Sequence, residues 1–276
     1  MVAFDDLEAL VPPPTAPIAA DGDWTMVEQT LGVRLPTDFQ ALVRRYGHGQ
    51  FADITLLTPF SAGAEDLFNL VYRARAQLDL YRDHRDAWPE DFPYSLYPEP
   101  QGLLEWANTG NGDGLYWLTL GEPDSWPVVI WNIREGSRRY EIGAVELLFA
   151  YLSGQREVDL LGPPPSNPWF DPFRKRVQVS FALDDGAQAY ADRLRMLRDV
   201  LASTADRGSW DGGHGLRQDH FKAVDRDWLV TYENAYGHHI RVAFPPEDDA
   251  EVRRVVIRAA LAMGCTVLDT SGPVPG

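Results

Sequence analysis

At 276 residues the chain has room for two ordinary domains, and its 45% hydrophobic and 24% charged composition is that of a globular protein with a core. With 9 Trp, 11 Tyr and 12 Phe it is not a disordered chain, and no apolar run approaches the roughly 18 residues of a membrane helix. A net charge of −16 argues against direct binding to nucleic acid phosphates, which such a field repels.

The charge is uneven. Residues 1–160 hold 25 acids and 11 bases, whereas residues 161–276 hold 16 and 14. Solubility is one reading of an acidic half, and a basic partner is the other. The start, Met1-Val2-Ala3-Phe4-Asp5-Asp6, has acids where a secretory signal carries Lys or Arg, so the expected location is cytoplasmic. Cys265 is the single cysteine, which excludes an internal disulfide and a cysteine-based zinc cluster. Its place between a helix and a strand predicts a buried, inert thiol.

In chain order, Pro12-Pro13-Pro14 and Pro17 interrupt any early helix. Asp21 and Asp23 offer N-caps to a short helix with Trp24, Val27 and Leu31 on its apolar face. Leu35-Pro36-Thr37-Asp38 starts a second helix that buries Phe39, Leu42, Val43 and Tyr46 and stops at Gly47. Residues 51–57 read as a strand. Residues 64–82 read as a longer helix with Leu67, Leu70, Val71, Ala74 and Leu78 on one face. The Pro- and aromatic-rich stretch 88–100 reads as an ordered loop. Strands are expected at 103–107, 115–120, 127–131 and 138–142, with a dense turn signal at 108–114 and a closing helix at 143–152.

Residues 159–172, with Gly162-Pro163-Pro164-Pro165-Ser166-Asn167-Pro168, read as a semi-rigid linker between a domain at 1–158 and one at 173–276. The second domain reads β-α-β-β-α-β, the order of a ferredoxin-like sandwich. Its strands are 177–183, a weak edge strand at 221–224 with a hairpin of 228–232 and 238–244, and 266–268. Its helices are 187–202 and 248–263, and the Gly-rich stretch 208–215 is left as loop.

One ordered set of residues in the first domain carries more than structure. It comprises Trp24, Glu28, Leu31-Gly32, Leu35-Pro36-Thr37-Asp38-Phe39, Tyr46-Gly47-His48-Gly49, Asn111-Gly112-Asp113, Tyr116-Trp117, Trp126-Pro127-Val128-Val129 and a closing Glu146-Leu147-Leu148. Over residues 24–152 the chain resembles the SUKH superfamily. The resemblance implies an α+β fold with one mixed sheet and surrounding helices. It also implies an immunity protein that binds and neutralises a secreted toxin domain, often a nuclease. A regulatory or scaffolding protein of the same fold is the alternative. Residues 165–276 resemble no family.

A nuclease holds phosphates with Arg and Lys, so an acidic, aromatic-rich inhibitor surface speeds and selects the encounter. The candidate partner contacts are Asp53; Asp86, Trp88, Glu90 and Asp91; Glu99; Asp113; and Glu122, Asp124 and Trp126 on one loop. Trp24, Tyr46 and Trp117 read as core. Asn111-Gly112-Asp113 also reads as a plain turn in which Asn and Asp bond their own backbone.

No catalytic, metal or cofactor set assembles. His238 and His239 point to opposite faces of a strand, and His214 and His220 have no regular ligand spacing. Asp83, His84 and Asp86 read as a solvated helix end. An active site around His214, His220 and His238 is the least favoured alternative.

Overall fold

Helices begin where a side chain can take the free backbone N–H groups of the first turn. Asp23 accepts from the Met26 N–H at 3.1 Å and opens one such helix, Trp24–Leu31. Gly32 closes it in the left-handed region at φ +78° and donates its N–H to the Glu28 carbonyl. The next helix, Thr37–Tyr46, ends at Gly47, where a Cβ would lie 2.2 Å from the Ile18 carbonyl oxygen, so no other residue fits. The computed structural model describes residues 2–60, 67–132 and 134–275, and its contacts divide the chain into two compact units, Met1–Phe173 and Arg174–Gly276.

The helices of the first unit are α1 Val2–Leu10, α2 Trp24–Leu31, α3 Thr37–Tyr46, α4 Leu70–Ala87 and α5 Ala144–Leu152. The helix expected from residue 64 starts six residues later, because Asn69 caps it, accepting from Val71 and Tyr72 N–H at 3.0 and 3.1 Å. Residues 64–66 and the Leu78 side chain lie outside the described residues. Leu67 precedes the cap and is 57% exposed, off the buried face that Leu70 and Ala74 form.

Seven strands form the first sheet: β1 Gly49–Phe51, β2 Ile54–Leu56, β3 Leu103–Thr109, β4 Gly114–Leu118, β5 Val128–Asn132, β6 Gly136–Tyr140 and β7 Phe170–Pro172. Their order is β6-β5-β4-β3-β2-β1-β7, and every neighbouring pair is antiparallel. The mixed sheet expected from the resemblance is therefore corrected to an antiparallel one. Short turns join β1 to β2 and β3 to β4, whereas a loop over 119–127 with a 3-10 turn at Pro123–Ser125 joins β4 to β5. The single strand expected at 51–57 is split by one such turn at Ala52-Asp53.

Alternation divides β3, β4 and β5 between two faces. Leu104, Trp106, Leu115, Trp117, Val128 and Ile130 pack with Phe39, Leu42, Tyr46, Leu147 and Leu148 of α3 and α5. Leu103, Tyr116, Leu118, Val129 and Trp131 pack on the other side with Phe92, Leu96 and Tyr81, from α4 and the segment after it. Both faces are covered, so these strands read as continuous apolar runs. Glu105 is 2% exposed on the α4 side, where the Arg73 guanidinium meets it at 2.6 Å and ties the helix to the sheet.

The unit runs on through the 159–172 segment expected as linker. Phe170–Pro172 pairs with β1, Ala52 donates to the Trp169 carbonyl at 3.1 Å, and Phe170 packs on Tyr46 and Phe51. Its ring covers an aromatic edge that β1 would otherwise leave bare.

The second unit holds β8 Val177–Leu183, α6 Tyr190–Leu201, β9 Thr204–Gly213, β10 Leu216–Ala223, β11 Trp228–Glu233, β12 His239–Phe244, α7 Asp249–Ala262 and β13 Val267–Pro275. Its sheet, β13-β8-β12-β11-β10-β9, is antiparallel throughout. The order along the chain is β-α-β-β-β-β-α-β, which adds to the β-α-β-β-α-β sandwich expected both the weak candidate at 221–224, as a full strand, and the unexpected β9. The Gly-rich stretch is not a loop but most of edge strand β9; its glycines and outward polar residues hide the period-2 signal that backbone pairing does not need. The weak edge strand is interior: Phe221, 1% exposed, lies opposite Val230 in the core beneath α6 and α7. Among the described residues no helix is long and apolar enough to cross a membrane.

Candidate partner-binding surface

The structure sorts the ten candidate contacts by what already holds them. Two are buried. Asp113 is 4% exposed: the Thr109 hydroxyl donates to it at 2.7 Å and the Asn132 amide at 2.8 Å, so it joins the β3–β4 turn to β5. The turn reading of Asn111-Gly112-Asp113 describes this place, although Asp113 accepts from side chains and not from its own backbone. Trp126 is 3% exposed, packs 6.2 Å from Trp117, and donates its indole N–H to the Gly121 carbonyl. Both are corrected to internal roles: a short polar turn anchor and a core indole that outward-looking loop chemistry does not reveal.

Three more are exposed or half-buried but engaged. Glu122 pairs with Arg34 at 2.9 Å. Asp124 accepts the Thr37 N–H at 2.6 Å and so caps α3, which Pro36 has no side chain to do. These two line an open cleft of about 450 Å³ with Glu28, Arg34, Thr37 and Gln40. Glu28 accepts there from the Leu35 N–H and the Gln40 amide. Glu99 accepts from Arg85 at 2.7 Å and from the Leu96 N–H at 3.1 Å, and the Arg85 bond holds its carboxyl below the usual carboxylate range. Arg34 and Arg85 are partners that sequence reading misses, for nothing local marks a contact across 88 residues.

Asp53 sits exposed in the β1–β2 turn. The protein wall around its carboxyl raises its pKa, and the nearby Asp113 charge adds to the rise. The last four stand together at the end of α4. Asp86, Trp88, Glu90 and Asp91 are exposed on one turn, with Pro89–Asp91 wound as a short 3-10 helix. Trp88 is 50% exposed and packs against His84 at 4.7 Å. Asp83, Asp86, Glu90 and Asp91 make no ion pair or side-chain hydrogen bond among the described residues.

The histidines of the second unit do not converge. His238 is buried; its Nδ1 donates to the Asp184 carbonyl, so Nε2 accepts from the Tyr232 hydroxyl at 2.9 Å, and burial lowers its pKa. His220 bonds Thr231 at 2.9 Å on the opposite face of the sheet, and His214 lies in the β9–β10 turn. Burial pushes the Cys265 thiol up. Among the described residues no group of three or more His, Cys, Asp or Glu could hold a metal ion.

Residues 21–145 match the family model SUKH_6, described as SMI1-KNR4 cell-wall. That match lies wholly within the first unit. The rest of the chain has no family match, and neither a curated protein nor a solved structure matches it. The geometry accounts for the SUKH motif residues. Asp38 accepts from the Phe39 N–H at 2.7 Å and from the Val145 N–H, so one carboxylate serves the starts of both α3 and α5; burial raises its pKa. Trp117 and Phe39 meet edge to face at 4.8 Å in the same core. Trp24 is only half-buried, edge-on to Phe60, unlike the fully buried Tyr46 and Trp117.

Proposed function

We propose that this protein is a non-catalytic immunity protein, which binds and neutralises a cognate secreted toxin domain in the cytoplasm of a bacterium with a polymorphic toxin system. One observation carries the reading: the SUKH match falls in the unit that holds 26 of the acids and 11 of the bases, while the second unit, with 15 and 14, is nearly neutral. Such a field raises the association rate with a basic protein and disfavours acidic ones. A nuclease fits as the toxin, because the Arg and Lys that grip phosphates would meet the SUKH domain's acids. Inhibition then needs occlusion alone.

The test is co-expression with the toxin encoded beside it. Rescue of growth, with a complex at micromolar concentration or tighter, is the expected result. Failure of both removes the immunity reading and leaves a regulatory or scaffolding SUKH protein.

A further inference from the structure

We propose that Trp88, with Asp86, Glu90 and Asp91, forms the contact that receives an arginine-bearing loop of a basic protein partner; this rests on the reading of the first unit as the partner-facing half.

The tryptophan is presented, not packed away. Its ring leans on His84 at 4.7 Å and is 50% exposed, which leaves apolar ring surface for a partner. The turn that carries it is held from behind. The Trp88 N–H closes α4 on the His84 carbonyl at 2.9 Å, and the Trp88 carbonyl accepts from Asp91 at 3.2 Å. Phe92, next in the chain, is buried 5.1 Å from Trp131 and 5.8 Å from Tyr81. A turn fixed before binding loses little freedom on binding, and fixed exposed aromatics are the usual anchors of interfaces.

Among the described residues no ion pair or side-chain hydrogen bond takes these acids, although the Arg85 charge acts on Asp86. The nearby guanidinium of Arg85 is taken by Glu99 at 2.7 Å, and that of Arg82 by Asp79 at 3.7 Å. The acids at 122–124 differ, since Arg34 and the α3 N-terminus already answer them. An aromatic face beside free carboxylates selects guanidinium over ammonium: Arg is flat, weakly hydrated, stacks on indole and still points its N–H groups outward to carboxylates. Lys offers the charge without the stack.

The experiment uses the full chain with nona-arginine and nona-lysine peptides as probes, followed by the Trp88 indole N–H resonance, assigned from its loss in Trp88→Ala. Nona-arginine should shift that resonance, and Trp88→Ala and Glu90→Lys/Asp91→Lys should each weaken the binding, read by calorimetry, roughly tenfold, the scale of a partly desolvated cation–π contact. Glu122→Lys should change affinity less than about twofold, because Arg34 already holds that charge. Nona-lysine should bind several-fold more weakly. Equal losses for the 86–91 and 122 variants, or equal affinity for the two peptides, overturn the proposal. An unchanged melting temperature shows that each variant folds; if Trp88→Ala does not, Trp88→Leu and the double charge reversal decide. The same variants are then tried on the toxin domain encoded next door. A complex indifferent to the 86–91 variants overturns this contact and leaves the immunity reading standing. No complex at all, with the peptide results as expected, overturns the immunity reading and leaves the arginine-binding contact.

Discussion

Acids at 122–124 and at 86–91 both sit on Pro- and Trp-containing loops of the first unit, and both face solvent. At 122–124 every one of them has a task inside the fold: Glu122 pairs with Arg34, and Asp124 supplies the cap that α3 lacks. Trp126, in the same loop, is core. At 86–91, among the described residues, the acids have no ion-pair or side-chain hydrogen-bond partner and the tryptophan is half bare. Exposure therefore does not make a carboxylate available. What counts is whether some donor in the same molecule has already used it, and Glu105 is the extreme case of such use.

Breaking an internal pair should cost stability in proportion to how deeply its acid is buried. Arg73→Met takes the guanidinium away from the buried Glu105 carboxylate, and should lower the unfolding free energy by about 3 kcal/mol in urea titrations, the low end for a buried pair because Arg73 is itself partly exposed. Adding Glu105→Leu should recover much of that loss. A cost near zero for Arg73→Met would mean that this acid is not held as described.

Asp124→Ala removes a cap without burying anything, and about 1 kcal/mol is expected in the same titration. A neutral result would move Asp124 into the class of the free acids and blur the contrast between the two loops.

The smallest effect belongs to Glu99 and shows as a pH dependence. Its folded-state pKa lies below the ordinary 4.5, first through Arg85. The pairing thus adds stability above pH 4.5, and that stability is lost as pH falls from there through the depressed value. The pair is partly exposed, so less than about 1 kcal/mol is at stake. Melting curves between pH 6 and pH 3 should fall less steeply for Glu99→Gln than for the parent. Parallel curves would show that Glu99 is as free as Glu90.

Local chemistry made much of this protein readable from its residues. Asp23, Gly32 and Gly47 mark helix ends because a carboxylate one turn before free N–H groups, or a backbone needing positive φ, acts within a few residues. Period-2 and period-3.6 patterns located most strands and helices, and the ordered motif around Leu35-Pro36-Thr37-Asp38-Phe39 pointed to the SUKH resemblance, whose family model matches residues 21–145. Tertiary structure decided the rest. The cap on Thr37 comes from a residue 87 positions away, the partner of Glu122 from 88, and the glycine-laden β9 is a strand only because β10 lies beside it. A sequence states which side chains are acidic, but Coulomb attraction and hydrogen bonding act over a few ångströms of space. The fold alone therefore determines that Asp113 is consumed by Thr109 and Asn132, while Glu90 and Asp91 are left facing water.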